Sequence, residues 1–147
     1  MNKHPLLRAY LAGIAIPTVF LLVVMANYTL VRYVYDVPIP VERVIVFPMA
    51  FVPNAWGLWN LLHTAFFSRR FSLGVFGGLL PLLLAPLGYF VAHLLEFPIP
   101  RHVIALWPVI LCIAIVVYYL VWKYLVSFLN AELGISWCAL HAPLTPQ

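Results

Sequence analysis

Four stretches of this chain carry no Asp, Glu, Lys or Arg: residues 9–31, 44–68, 71–95 and 102–122. The breaks between them are short and polar. A helix crossing a hydrocarbon core of ~30 Å needs about 20 mostly apolar residues, at ~1.5 Å rise each. Every stretch reaches that length. The pattern predicts an all-α membrane protein, a four-helix transmembrane bundle. Its spans fall at about 9–33, 44–67, 72–96 and 103–130, in a single domain over 1–133, with a short tail at 134–147. The strands of a β-barrel would alternate apolar and polar at period two, and nothing here does that.

Composition narrows the class further. Of 147 residues, 65% are hydrophobic and only 8% charged, where a soluble domain carries roughly a quarter charged. A small water-soluble fold cannot hide that much apolar surface. A soluble enzyme, a disordered chain and a disulfide-stapled secreted module are disfavoured together. The opening MNKHPLLR has the look of a basic leader, but the apolar run behind it is long and no A-x-A site follows. It reads as a retained helix.

Charge in the flanks sets an orientation. Lys3, Arg8, Arg69, Arg70 and Lys123 lie on one side. Arg32, Arg43 and Arg101 lie on the other, mixed with Asp36, Glu42 and Glu96. The bias puts both termini and the Ser68–Phe71 turn in the cytoplasm and the chain in a plasma (inner) membrane. A pI near 9.3 fits attraction to anionic lipid, with Arg69, Arg70 and Lys123 as the contacts. It gives no sign of nucleic-acid binding, since no basic soluble face is present. Cys112 and Cys138 are too few for a disulfide framework and are expected to be free.

An echo runs through the sequence. Residues 36–48 read DVPIPVERVIVFP and residues 96–108 read EFPIPRHVIALWP. Pro38, Ile39, Pro40 and Pro48 recur sixty positions on as Pro98, Ile99, Pro100 and Pro108, with Asp36 set against Glu96. Each copy joins an odd helix to an even one. Two parallel-related helical hairpins are one account of this. Convergence of proline-rich turns is the other, because proline suits helix starts and short loops.

The third stretch places Gly74, Gly77, Gly78, Pro81, Ala85 and Gly88 on one face at about 100° per residue. Small residues let helix backbones approach closely where no hydrophobic effect operates between helices. This face is expected to pack into the bundle, with a homo-oligomer or a membrane-protein partner as the other possibility. In the first stretch, close approach is expected only near the inner end. Prolines at 17, 48, 53, 81, 86 and 108 bend their helices, and the five-residue pairs 48/53 and 81/86 suggest a small polar cavity between the second and third helices.

Chemistry has two places to sit. On the second helix, Trp56, Asn60, His63 and Thr64 share an arc, with Asn54 to one side. The group is either an interhelical hydrogen-bonding stripe or a ligand pocket. On the outer side, Asp36, His93, Glu96 and His102 form a polar cluster that could bind a metal only with support the sequence lacks. His63 and His93 fall near opposite ends of neighbouring helices and cannot share a haem. No catalytic residue, metal or cofactor is assigned, and the chain leans away from being an enzyme. The leading reading is a non-catalytic accessory or packing subunit, or a binder of a lipid-like molecule, whose partners are the bilayer and a membrane protein or second copy. An oligomeric solute transporter or channel is the alternative, and a lipid-modifying membrane enzyme a further one.

Overall fold

A computed structural model describes residues 4–36, 46–96, 99 and 101–135. Every regular element among them is helical. Helix α1 runs Pro5–Tyr35, with proline in its first turn, where the missing N–H costs nothing. Helix α2 is a composite: a wide π turn at Val46–Phe51, an α segment at Val52–Leu62 and a second π turn at His63–Phe67. Helix α3 comprises Leu73–Gly78 and Leu80–Leu94. Helix α4 comprises Arg101–Val121, a π turn at Trp122–Val126 and Ser127–Glu132.

Three of these helices are long and apolar enough to cross a membrane: Pro5–Tyr35, Leu73–Leu94 and His102–Glu132. The second expected span differs from them. Its α segment is 11 residues long and the rest is π turn. Proline explains part of this, since Pro48 and Pro53 each lack the N–H that a regular ladder would use.

The ends of the helices are chemically specified. Ser72 caps α3 by accepting from the Val75 N–H. Gly134, at φ 65°, closes α4: its N–H reaches the Ala131 carbonyl and Ile135 N–H reaches the Asn130 carbonyl. A left-handed residue with that pair of bonds is the usual glycine helix stop. Asp36 (φ 51°) and Glu96 (φ 54°) are left-handed without being glycine. They occupy matching places in the two copies of the echo and end α1 and the α3 turn in the same conformation. Pro38, Pro40, Pro98 and Pro100 lie outside the described residues, as does Cys138.

Helix α1 packs along α2, and α3 along α4; the final turns of α4 reach across to α1. The α1–α2 crossing is close. A Cβ on Gly13 would stand 2.6 Å from the Trp56 carbonyl oxygen and 2.8 Å from the Gly57 Cα. Gly77 is covered by the Trp122 side chain, with no room for a methyl group. The small-residue face of α3 therefore meets α4: Gly74 lies against Tyr119 and Lys123, and Gly78 against Ile115 and Tyr119.

Burial is uneven along the helices. In α1 the buried residues are Ala9, Ala12, Gly13 and Pro17, and none follows. In α3 they end at Leu84. In α4, among residues with described side chains, they begin only at Trp122. The core, built from Trp56, Leu80, Leu84, Trp122 and Val126, lies in the half of the molecule that carries the Arg69–Arg70 turn. Cys112 is free and exposed.

Candidate polar site at the arginine-rich end

The π turns decide which side chains meet. Trp122, Val126 and Asn130 are four residues apart, and all three are buried. In a regular helix each step of four drifts about 40° around the axis, given 3.6 residues per turn. The wide turn at Trp122–Val126 takes up that drift, so the three stay in line. On α2, Trp56, Asn60 and Thr64 have the same spacing and are also buried. The two lines face each other.

Their polar members form a closed network. Asn60, fully buried, donates from Nδ2 to the Ala9 carbonyl and to Asn130 Oδ1, both at 2.8 Å. Asn130 Nδ2 returns a bond to Asn60 Oδ1 at 3.1 Å. One amide pair thus ties α2, α4 and α1 together, and both hydrogens of the Asn60 amide are used. Thr64 donates back to the Asn60 carbonyl at 2.8 Å. Trp59 Nε1 donates to the Phe76 carbonyl at 2.8 Å, beside the break in α3 that Pro81 produces.

Aromatic rings fill the space between. Trp56 lies 4.9 Å from Tyr118 and 5.3 Å from Trp122, centroid to centroid. Phe76 stacks on Trp59 at 4.7 Å and lies 5.2 Å from His63. The Trp122 indole N–H is buried with no hydrogen-bond partner among the described residues.

His63 Nε2 donates to the Phe71 carbonyl at 2.9 Å. A carbonyl only accepts, so the proton sits on Nε2 and the neutral ring keeps a lone pair on Nδ1. A polar cavity of about 260 Å³ opens beside it, bordered by His63, Thr64, Ser68, Ser127, Asn130 and Ile135, among others. The expected pocket on α2 is thereby divided. His63 and Thr64 border the cavity. Asn60 and Trp56 lie within the packed core. Asn54 is exposed and hydrogen-bonded to the Tyr10 hydroxyl and the Ala50 carbonyl. Asn130, the residue that completes the site, was legible in the sequence only as a polar residue eight positions beyond Trp122.

The proline pairs enclose no part of this cavity. Pro81 and Pro86 border two apolar clefts between α3 and α4 instead. One, of about 460 Å³, is bordered by Pro86, Tyr89, Trp107, Pro108 and Leu111. The other, of about 240 Å³, adds Pro81, Leu84 and Tyr118. Ala85, Trp107 and Leu111 border both. Gly88 is half-buried higher on the same helix.

The remaining candidates are at the surface. Asp36, His93, Glu96 and His102 are exposed. No group of three or more His, Cys, Asp or Glu among the described residues could hold a metal ion. Arg69 and Arg70 are exposed on their turn. Lys123 Nζ lies 5.7 Å from the centroid of the Tyr119 ring and 5.4 Å from that of Tyr124, so its ammonium sits over two aromatic faces. Arg8 donates to the Leu133 carbonyl at 3.2 Å, which fixes the start of α1 to the end of α4.

Fold and site together define a class: an all-helical protein, three of its helices long and apolar enough to cross a membrane, with buried amide pairing near one end. No known protein family matches the chain, and neither does any curated protein or solved structure.

Proposed function

We propose that this chain is a multi-pass membrane protein of four crossing helices that binds a lipid-like apolar molecule and performs no chemistry on it. The Ser68–Phe71 turn and both termini face the cytoplasm in this reading. The observation that carries it is the apolar cleft of about 460 Å³ between α3 and α4. Pro86 and Pro108 border it from opposite helices, and each removes a helical N–H, which bends its helix and loosens the contact there. Tyr89 and Trp107 give the cleft two hydrogen-bonding groups among apolar neighbours, the composition of a pocket that holds a long apolar molecule by one polar end.

Two further observations weigh among the readings. All the bonds of Asn60 are internal, which argues against a solute path along the Asn54–Asn60–His63 stripe. The exposed apolar side chains of α1 beyond Pro17, among them Val19, Phe20, Val23 and Leu30, leave room for a membrane-protein partner beside the lipid ligand, so an accessory role is compatible with binding.

Mass spectrometry of lipids retained by the detergent-purified protein tests the reading. Ala85→Phe places a ring where both clefts meet and should reduce retention of the bound species about tenfold, without changing the elution volume. Retention equal to wild type, or no retained lipid at all, defeats it. Cysteine labels tested in membranes should place Arg70→Cys and His93→Cys on opposite faces. Reaction of both from the same face would rule out the proposed topology.

A further inference from the structure

The polar cavity lies at the other end of the molecule from the 460 Å³ cleft and needs a different occupant. We infer that it is a subsite for a phospholipid headgroup ending in a primary ammonium, the ethanolamine type, with the headgroup phosphate at the Arg69–Arg70 turn. The inference rests on the membrane reading above, but not on the apolar cleft.

The argument begins with unused hydrogen-bonding capacity. The cavity is far larger than the ~10–15 Å³ that one water requires, at about 260 Å³. Within it, Thr64 has already given its proton to the Asn60 carbonyl and has only lone pairs left to offer. His63 has given its proton to Phe71 and presents the Nδ1 lone pair. Ser68 and Ser127 add two hydroxyl oxygens. Asn130 retains one N–H, since its other is donated to Asn60. Thr64 and His63 thus offer acceptors only, the two serine hydroxyls can accept or donate, and among the described residues no carboxylate or cationic side chain borders the space.

Helix ends bias it the same way. His63, Thr64 and Ser68 belong to the last turn of α2 and its cap, and Asn130 and Ala131 to the last turn of α4. Each C-terminal end carries roughly half a negative charge. The start of α3, at Leu73, also borders the cavity, so two negative ends stand against one positive one. A compact group with three N–H donors and a positive charge fits this lining. A phosphate, which only accepts when fully ionised, would meet no donor at Thr64 or His63. Ser68 is followed directly by Arg69 and Arg70, both exposed, and guanidinium is the side-chain group best matched to a phosphate. Ammonium inside and phosphate on the rim reproduce the order of charges in the ethanolamine headgroup. Both π turns that flank the cavity, His63–Phe67 and Trp122–Val126, are of the kind that recurs at functional sites.

Native mass spectrometry of the full chain, offered lipids of one acyl composition, tests this. Dioleoyl-phosphatidylethanolamine should bind about tenfold more tightly than its trimethylated counterpart, phosphatidylcholine, which has no N–H donor, and than phosphatidylglycerol, which has no ammonium. Ser127→Val and Ala131→Phe, both at exposed positions, should abolish the preference while the protein remains monodisperse. Ser68→Val serves as a second variant if either misfolds. Ala85→Phe, which alters only the apolar clefts, should leave the preference intact. Equal binding of ethanolamine and choline lipids, a preference for phosphatidylglycerol, or a preference that survives the cavity variants would overturn the inference. Free phosphoethanolamine binding as tightly as the lipid would overturn the lipid assignment. A chain that stays monodisperse without detergent would instead sink the membrane reading itself.

Discussion

Replacing Asn60 by leucine is expected to cost about 2–4 kcal/mol of stability, the largest loss from any single polar substitution in the chain. The side chain makes three hydrogen bonds in a site with no solvent, to Ala9 and, reciprocally, to Asn130. Leucine fills a similar volume but strands the Asn130 amide, while the Ala9 carbonyl keeps its partner within α1; a buried polar group left unpaired costs about 1–3 kcal/mol. In lipid, single interhelical hydrogen bonds average nearer ~0.6 kcal/mol, so the effect comes from stranding partners rather than from the bonds themselves. The double variant Asn60→Leu/Asn130→Leu should then be more stable than the sum of its singles implies, because neither amide is left facing a missing partner. Thermal unfolding in detergent, followed by circular dichroism for all three variants, measures this. Additive losses would show that the two amides act independently.

Gly77→Val is expected to do more damage than any other substitution on the small-residue face. A Cβ at Gly77 would overlap the Trp122 side chain, and Trp122 is itself fully buried among Trp56, Leu80 and Val126. The indole cannot yield without disturbing Trp56, so α3 and α4 must move apart. Overpacking a well-filled core costs about 1–3 kcal/mol, and a bulky branched residue here should reach the upper end or prevent folding. Gly78→Ala is the control: its Cβ would meet neighbours at 3.5 Å or more, ordinary contact, and should be tolerated. The pair is read by yield and by elution profile in detergent. Trp122→Ala introduced with Gly77→Val should recover a monodisperse protein. Failure to do so would mean that the clash lies elsewhere.

Both predictions depend on placements that the sequence shows unequally. Helix positions were accessible because charge is excluded from long apolar runs. The expected spans 9–33 and 72–96 lie within a few residues of Pro5–Tyr35 and Leu73–Leu94. The glycine face of α3 was accessible too, because six small residues recur at helical spacing. The π turns were not. They alter the winding by a fraction of a turn over five or six residues, and no residue type marks them. Trp122, Val126 and Asn130 share an arc even in a regular helix, but nothing in the sequence pairs Asn130 with Asn60. Gly57 illustrates a second gap. It sits in the polar arc of α2 as one small residue among larger ones, and its meaning appears only when Gly13 is brought against it by α1. The apolar clefts were inaccessible for a different reason. Their lining looks, residue by residue, like any apolar helix face, and only the placement of α3 beside α4 turns that lining into clefts.

The confinement of the core to one half of the molecule has a mechanical consequence. Among the described residues, the hydrogen bonds that Asn60, Asn130, Trp59 and Arg8 make between helices lie toward the arginine-rich end, along with the tight glycine crossings. The opposite halves of α1, α3 and α4 hold no side chain that is buried among the described residues. Among the described residues the protein is therefore clamped at one end and more loosely packed at the other. In the membrane setting proposed above, a thinner or thicker bilayer would be met by the loosely packed arms leaning in or out, while amide exchange at the clamp stayed slow and that of the arms rose.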